Sequence, residues 1–173
     1  MNGVEIATER LRLRPLGTAY LQTANAYATD REHVKYMLFM PFDGPEETMA
    51  TLKEAEAAWA SEDPDRYEFA VLRNDRHIGA VSVYMEDEGA ELAWIIAPEH
   101  RGQGFACEAA RAVVEYLSSH MGIRHFYAHS DAENAASRRV MEKLGMTRAD
   151  GFGTRRNRGA ARDSIELRYD LWL

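Results

Sequence analysis

The segment Trp94 to Met121 constrains this chain most, because a strand, a glycine-bearing turn and a long amphipathic helix follow one another there without a spacer. The strand ends at Ile96, and Pro98 blocks its continuation, since proline lacks the N–H that a ladder needs. The run Arg101-Gly102-Gln103-Gly104 then leads straight into a helix over Phe105 to Met121. Apolar residues recur in it at Phe105, Ala109, Val113, Leu117 and Met121, flanked by Ala106, Ala110 and Val114. Glu108, Arg111, Glu115 and Ser118 fall on the other face, so the helix has a wide apolar stripe to bury. Gly122 supplies its stop.

The flanking sequence says what that stripe packs on. Arg10 to Leu16 alternates polar and apolar, the period of a half-buried strand, and Thr18 to Ala28 turns to helical spacing. Tyr36 to Phe42 is short, aromatic and methionine-rich, and ends at the turn Asp43-Gly44-Pro45. A helix follows from Pro45 to about Trp59, with proline at an allowed early position and Glu46 and Glu47 in its first turn. Tyr67 to Leu72, His77 to Tyr84 and Ala90 to Ile96 read as an antiparallel meander with turns at Asn74-Asp75 and Glu86 to Gly89. Phe126 to Ser130 is a strand, Asn134 to Leu144 a helix stopped by Gly145, and Ile165 to Leu171 a last strand. The pattern predicts one domain over residues 1–173 of the α/β (α+β) class. Its centre is a mixed, mostly antiparallel sheet of about seven strands with helices on both faces.

Composition narrows the partners. The formal net charge is -7, which argues against a nucleic-acid surface and favours a cationic small molecule or peptide. Cys107 is the sole cysteine, so neither an internal disulfide nor a cysteine-based zinc site can form, and a reducing cytoplasm is the expected compartment. The sequence shows no signal-peptide pattern and no apolar run long enough for a bilayer, so no membrane partner is expected. The histidines are scattered. His125 and His129 lie roughly 13 Å apart on a strand, and no metal is implied.

The turn before the long helix has the makings of an anion cradle. Glycines let backbone N–H groups approach a ligand, and the helix start places the positive end of its dipole behind them. The bland alternative is a glycine-rich connection that binds nothing. No Lys-Ser/Thr pair follows the glycines, which excludes a nucleoside-triphosphate loop. The dinucleotide pattern needs three glycines in a parallel strand-helix-strand unit, which is also missing. What remains is Arg/Gln-x-x-Gly-x-Gly/Ala, met by Arg101, Gly104 and Ala106.

Four stretches carry a resemblance: TERLRLRPL from Thr8, GAELAWIIAPEHRGQGFACEA from Gly89, NAASRRVMEKLGM from Asn134 and SIELRYDLWL from Ser164. In this order and spacing the chain resembles the GCN5-related N-acetyltransferases (the GNAT superfamily), and within it the RimJ/RimL-type branch of ribosomal-protein N-terminal acetyltransferases. The resemblance implies acetyl-CoA as co-substrate. It implies a pyrophosphate on the backbone of Arg101, Gly102, Gln103, Gly104, Phe105 and Ala106, and a pantetheine arm beside Ile95 and Ile96. A backbone N–H near Ile96 would hold the thioester oxyanion, and the Asn134 side chain would lie near the cofactor, although asparagine also serves as a helix N-cap. A homodimer is compatible with the family.

The acceptor expected is a primary amine, either a peptide N-terminus or a small amine. At neutral pH such an amine is protonated and must lose a proton before it attacks. Glu91 shares a strand face with Ala93 and Ile95 and matches the family's Ala-Glu-x-x-Trp/Tyr pattern, which makes it the candidate base. A partly buried carboxylate there is expected to have a raised pKa; the competing reading is a solvated carboxylate or a salt bridge to an arginine. Ser137 is where the resemblance suggests an acid for the departing thiolate; it is equally placed as a first-turn hydrogen-bonding residue. Glu108 is read as structural, Cys107 as a small buried residue, and Arg155, Arg156, Arg158 and Arg162 as a solvated basic loop, the alternative being a contact with a phosphate of coenzyme A or with an acidic partner. Tyr36, Phe39, Phe42, Trp59, Tyr84 and Trp94 either line an acceptor pocket or pack in the core. The alternative to an enzyme is a non-catalytic acyl-CoA binding or sensing module.

Overall fold

A computed structural model describes residues 3–173. The strands are β1 (Ile6–Ala7), β2 (Arg12–Pro15), β3 (Arg66–Arg73), β4 (Arg76–Glu86), β5 (Gly89–Ile96), β6 (His125–Asp131), β7 (Thr147–Arg148), β8 (Gly153–Arg155) and β9 (Ser164–Trp172). The helices are α1 (Leu21–Ala28), α2 (Pro45–Ala60), α3 (Phe105–Met121) and α4 (Ala135–Leu144). The strands form one sheet in the order β1-β2-β3-β4-β5-β6-β9-β7, with β8 also on β9. All the pairings are antiparallel except β5 with β6. The expected meander is β3-β4-β5. Its first turn holds Asn74 and Asp75 at φ 49° and 59°, the left-handed pair a two-residue hairpin needs.

The sheet has nine strands rather than about seven. The three that periodicity did not reveal, β1, β7 and β8, have only two or three residues each, too few for an alternation to register. β8 also overturns part of the reading of the arginine-rich segment as a loop.

Strand alternation separates two cores. Tyr67, Phe69 and Val71 of β3, with Ala90 and Leu92 of β5 and Phe126 and Ala128 of β6, meet the stripe of α3. Ala70, Leu72 and Ala80 point the other way, onto Ala24, Tyr27, Ala28 and Leu52 of α1 and α2. The stripe of α3 is buried from Phe105 to Leu117, but Met121 at its end is 41% exposed, so it is not a core residue. Gly122 and Gly145 cap α3 and α4 in the left-handed conformation, as their positions suggested.

The feature that positions the site is the parallel pair. β5 and β6 are joined only at Ala90↔Phe126 and Glu91↔Tyr127, although both strands run on past that point. A wedge therefore opens between them. Beyond Glu91 one edge of β5 faces this gap instead of a neighbouring strand.

Candidate active site

The wedge continues into a cleft of about 1350 Å³. Among its lining residues are Glu68, Ser82, Tyr84, Glu91, Ala93 and Ile95 from the sheet. The turn before α3 contributes Arg101, Gly102, Gly104, Phe105 and Ala106, and Asn134 and Ser137 come from the start of α4. Ten of the eleven residues expected at the site therefore converge on one cleft. Gln103 does not line it: its carbonyl accepts from Arg10 Nη1 at 3.0 Å on the outer side of the turn. Phe105 lends the cleft only its edge, being 2% exposed in the core with the guanidiniums of Arg10 and Arg73 over its ring at 4.7 and 4.9 Å.

The glycine turn fits a pyrophosphate. Gly102 and Gly104 sit at φ 73° and 84°, a conformation that costs other residues about 1 kcal/mol or more. A Cβ on Gly102 would meet nothing within 4 Å, so the space over the turn is open. Gly104 is the N-cap of α3 and supplies no side-chain cap, which leaves the first N–H groups of the helix to an outside acceptor. Arg101 is already engaged, donating to the carbonyl of His33 at 3.0 Å.

On β5 the backbone directions follow from one bond. Ala97 N–H donates to Ile78 of β4, and N–H groups alternate sides along an antiparallel strand. Those of Trp94 and Ile96 consequently point into the wedge. Gly79, opposite Ile96, allows the approach of β4, since a Cβ there would lie 2.1 Å from the carbonyl of Ile95.

Glu91 stands at the apex of the wedge, where strand pairing stops. Its Oε1 lies 2.7 Å from Nδ1 of His129, and the side chains are 29% and 26% exposed. The hydrogen-bond partner of Glu91 is thus a histidine rather than an arginine. Hydrogen bonding to Glu91 outweighs burial and raises the His129 pKa above its ordinary 6.5. Periodicity could not reveal this pair, because it depends on how β5 and β6 are placed in register.

Other groups in the cleft also went unread. Glu68 is 8% exposed; burial raises its pKa, against which a hydrogen bond from Ser82 Oγ at 2.9 Å acts. The two ring nitrogens of His33, which lines the cleft, have no hydrogen-bond partner among the described residues. Asp131, 2% exposed, accepts from Ser164 Oγ, Asn157 Nδ2 and the Glu133 N–H at 2.6, 2.6 and 2.8 Å. These donors hold its pKa low although burial opposes them.

Asn134 caps α4, its Oδ1 accepting the Ser137 N–H at 3.1 Å. It also lines the cleft, so its cap role and a cofactor contact are compatible. Glu108 is structural: its carboxylate takes Thr8 Oγ1, the Arg10 N–H and the Arg10 guanidinium, tying the N-terminal segment to α3. Cys107 is half-buried against the core. Of the aromatic set, Trp59 is buried and its indole donates to the Glu68 carbonyl at 2.8 Å. Tyr36, Phe39, Phe42, Tyr84 and Trp94 line the cleft.

The solvated basic loop needs the clearest correction. Arg155 is 9% exposed and donates to Asn157 Oδ1, Glu166 and the Tyr36 carbonyl. Arg158 bonds the Phe39 carbonyl, Glu47 and Asp43. These two arginines brace residues 36–47 over the cleft. Arg156 and Arg162 stay at the surface, paired with Asp163 and Glu133.

The acetyltransferase (GNAT) domain model matches residues 10–147. The chain belongs to the GNAT acetyltransferase family. It is 30% identical over 154 residues to the uncharacterized N-acetyltransferase YnaD of Bacillus subtilis, covering 86% of this chain and 85% of that protein. Two solved structures share the GNAT fold. One is an acetyltransferase from Salmonella typhimurium that modifies the N-terminal serine of the 50S ribosomal protein L7/L12 (TM-score 0.86, 15% identity, 98% of this chain and 99% of that one). The other is the spermidine N-acetyltransferase of Vibrio cholerae with CoA and spermine (TM-score 0.81, 22% identity, 95% and 96%). As a GNAT enzyme this chain is an acetyl-CoA-dependent N-acetyltransferase, and the glycine turn and the edge of β5 are the parts of the cleft that suit the co-substrate. No helix among the described residues is long and apolar enough to cross a membrane.

Proposed function

We propose that residues 1–173 act as one catalytic domain that acetylates a primary amine, by direct attack of the amine on bound acetyl-CoA with Glu91 supplying the base function. The observation that carries this reading is the position of Glu91: a half-buried carboxylate at the apex of the wedge, inside the cleft that also contains the glycine turn. The backbone of residues 101–106 holds the pyrophosphate, and the arm lies along β5 past Ile95 and Ile96.

The two candidate oxyanion donors on β5 differ in their distance from Glu91. Ile96 is five residues from Glu91, roughly 17 Å along a strand, and Trp94 is three residues away, roughly 10 Å. A carbonyl held at Trp94 N–H is within reach of a side chain at the apex, whereas at Ile96 the proton has to cross by water. The fixed N–H dipole stabilises the oxyanion as the C–N bond forms. The C–S bond then breaks, and Ser137 or water protonates the thiolate, a tolerable leaving group with a pKa near ~8.5.

The acceptor is a primary amine, a peptide N-terminus or a small amine; relatives by fold carry both kinds in their names. The test is amine-dependent release of CoA thiol across a panel of peptides and small amines, with Glu91→Gln alongside. Turnover with one class, reduced ten-fold or more in the variant, supports the reading. Tight CoA binding without turnover for any amine would favour a non-catalytic acyl-CoA binding module.

A further inference from the structure

We propose that His129 Nε2 is the atom that takes the acceptor's proton, while Glu91 acts from behind it by holding the Nδ1–H. This rests on the acetyltransferase reading above and refines the part given to Glu91.

The geometry leads there in steps. Nδ1 of His129 lies 2.7 Å from Glu91 Oε1. A carboxylate has no proton to give, so Nδ1 is the protonated nitrogen of the neutral ring and Nε2 is left with its lone pair. Nε2 has no hydrogen-bond partner among the described residues, and the ring is one of the groups lining the cleft. The ladder sets the position. Glu91↔Tyr127 is the last rung between β5 and β6, and His129 lies two residues beyond Tyr127, on the same face of β6. The imidazole therefore stands where the wedge begins to open. Glu91 Oε1 is engaged by the ring, which makes the carboxylate an orienting group for it, the division of labour of a carboxylate–histidine pair in acyl transfer.

The charged and titratable groups around the ring come from three strands. Glu91 is on β5. On β9, Arg168 is directly opposite His129 and Glu166 lies two residues along. Tyr127 on β6 has its ring 5.6 Å from the imidazole. Arg168 is already committed to Glu88 and Asp170, so the carboxylates prevail and favour an imidazolium once the proton arrives.

The proton count closes. An ammonium acceptor sheds two protons as it becomes an amide. His129 Nε2 takes one and later returns it to water, and the other ends on the departing thiolate. The C–N bond forms as the C–S bond breaks, with no oxidation or reduction. Imidazole suits this step better than a free carboxylate does, because a base with a pKa near the working pH combines availability with driving force.

The experiment is the pH profile of kcat/KM from pH 5.5 to 9.5 for the wild-type enzyme, His129→Gln and Glu91→Gln, using the best acceptor of the panel. The wild type is expected to show an ascending limb above the ordinary imidazole pKa. His129→Gln should lose that limb and about 100-fold in rate at pH 7, with KM for acetyl-CoA within two-fold. Its deficit should shrink below ten-fold near pH 9.5, where the amine sheds its proton unaided. Glu91→Gln should keep the limb but move it to lower pH. A His129→Gln profile parallel to wild type, or a Glu91→Gln profile with no limb, overturns the assignment to His129 and leaves the acetyltransferase reading standing. Absence of turnover in the wild type with every amine removes both. Should His129→Gln fail to fold, NMR titration of the His129 ring in wild type and Glu91→Gln replaces it: an unchanged pKa between them overturns the coupling.

Discussion

Gly79→Ala tests how closely β4 holds the edge of β5 that faces the wedge. A Cβ at this position would sit 2.1 Å from the Ile95 carbonyl oxygen and 2.9 Å from Ile96 Cα. Both are backbone atoms, so no side chain can swing aside. Restoring an ordinary contact requires β5 to retreat by about 1.3 Å. The neighbouring Ala97 N–H to Ile78 O bond, now 2.8 Å, would then stretch to about 4 Å and break. Losing one backbone bond costs about 1 kcal/mol and relieving the overpacking about 1–3 kcal/mol. The sum, about 2–4 kcal/mol, is a large part of the stability of an ordinary domain and corresponds to a Tm drop of roughly 4–16 °C at this size. The same retreat moves the Trp94 and Ile96 N–H groups, so CoA affinity should fall about ten-fold or more. Calorimetric unfolding and titration of CoA into the protein measure the two effects. Gly102→Ala is the control: its Cβ meets nothing, so it should show only the cost of its left-handed φ, about 1–2 kcal/mol, with no shift of β5. A Gly79→Ala protein with Tm within 1 °C of wild type and unchanged CoA affinity would refute the close-packing account.

Three further outcomes are expected. Glu68→Gln should stabilise the protein at pH 8 by up to about 2–4 °C, the scale of 1 kcal/mol in a domain this size, and leave it unchanged at pH 4. The sign follows from burial, which raises the Glu68 pKa: stability is full below the unfolded value and is lost as pH rises through the folded one. Thermal melts at the two pH values check it. Asp131 runs the other way: its folded pKa is depressed, so its contribution is present above the unfolded value and lost as pH falls through the folded one. Asp131→Asn should accordingly destabilise at pH 7 by about 1–3 kcal/mol, since buried donors lose their charged acceptor, and the gap should close in denaturant melts as the pH falls through the depressed folded pKa. Asn134→Ala should cost about 1 kcal/mol through the lost cap; a cofactor contact would add a rise in Kd for CoA, read by calorimetric titration.

The glycine turn and α3 were legible because each signal is local. The stops at Gly122 and Gly145, the hairpin at Asn74-Asp75 and the stripe from Phe105 to Leu117 depend on residues close together in sequence. Strands of two or three residues carry no period, so β1, β7 and β8 are not legible in the sequence. Arg155 shows a different limit. A cluster of arginines among glycines looks solvated in a sequence, yet Asn157, Glu166 and the Tyr36 carbonyl together satisfy its guanidinium. Two of those partners come from outside its own segment.

The sequence alone determined the family's signature turn, the order of the main strands and helices, and the presence of a carboxylate at Glu91, because backbone preference and periodicity act over a few residues. Only the tertiary structure decided what Glu91 does with its neighbours. The wedge exists because β5 and β6 pair at two rungs and then part, and His129 meets Glu91 across 38 residues of chain. Such a contact is set by the register between strands brought together through the crossover helix α3, and neither strand's own sequence encodes that register.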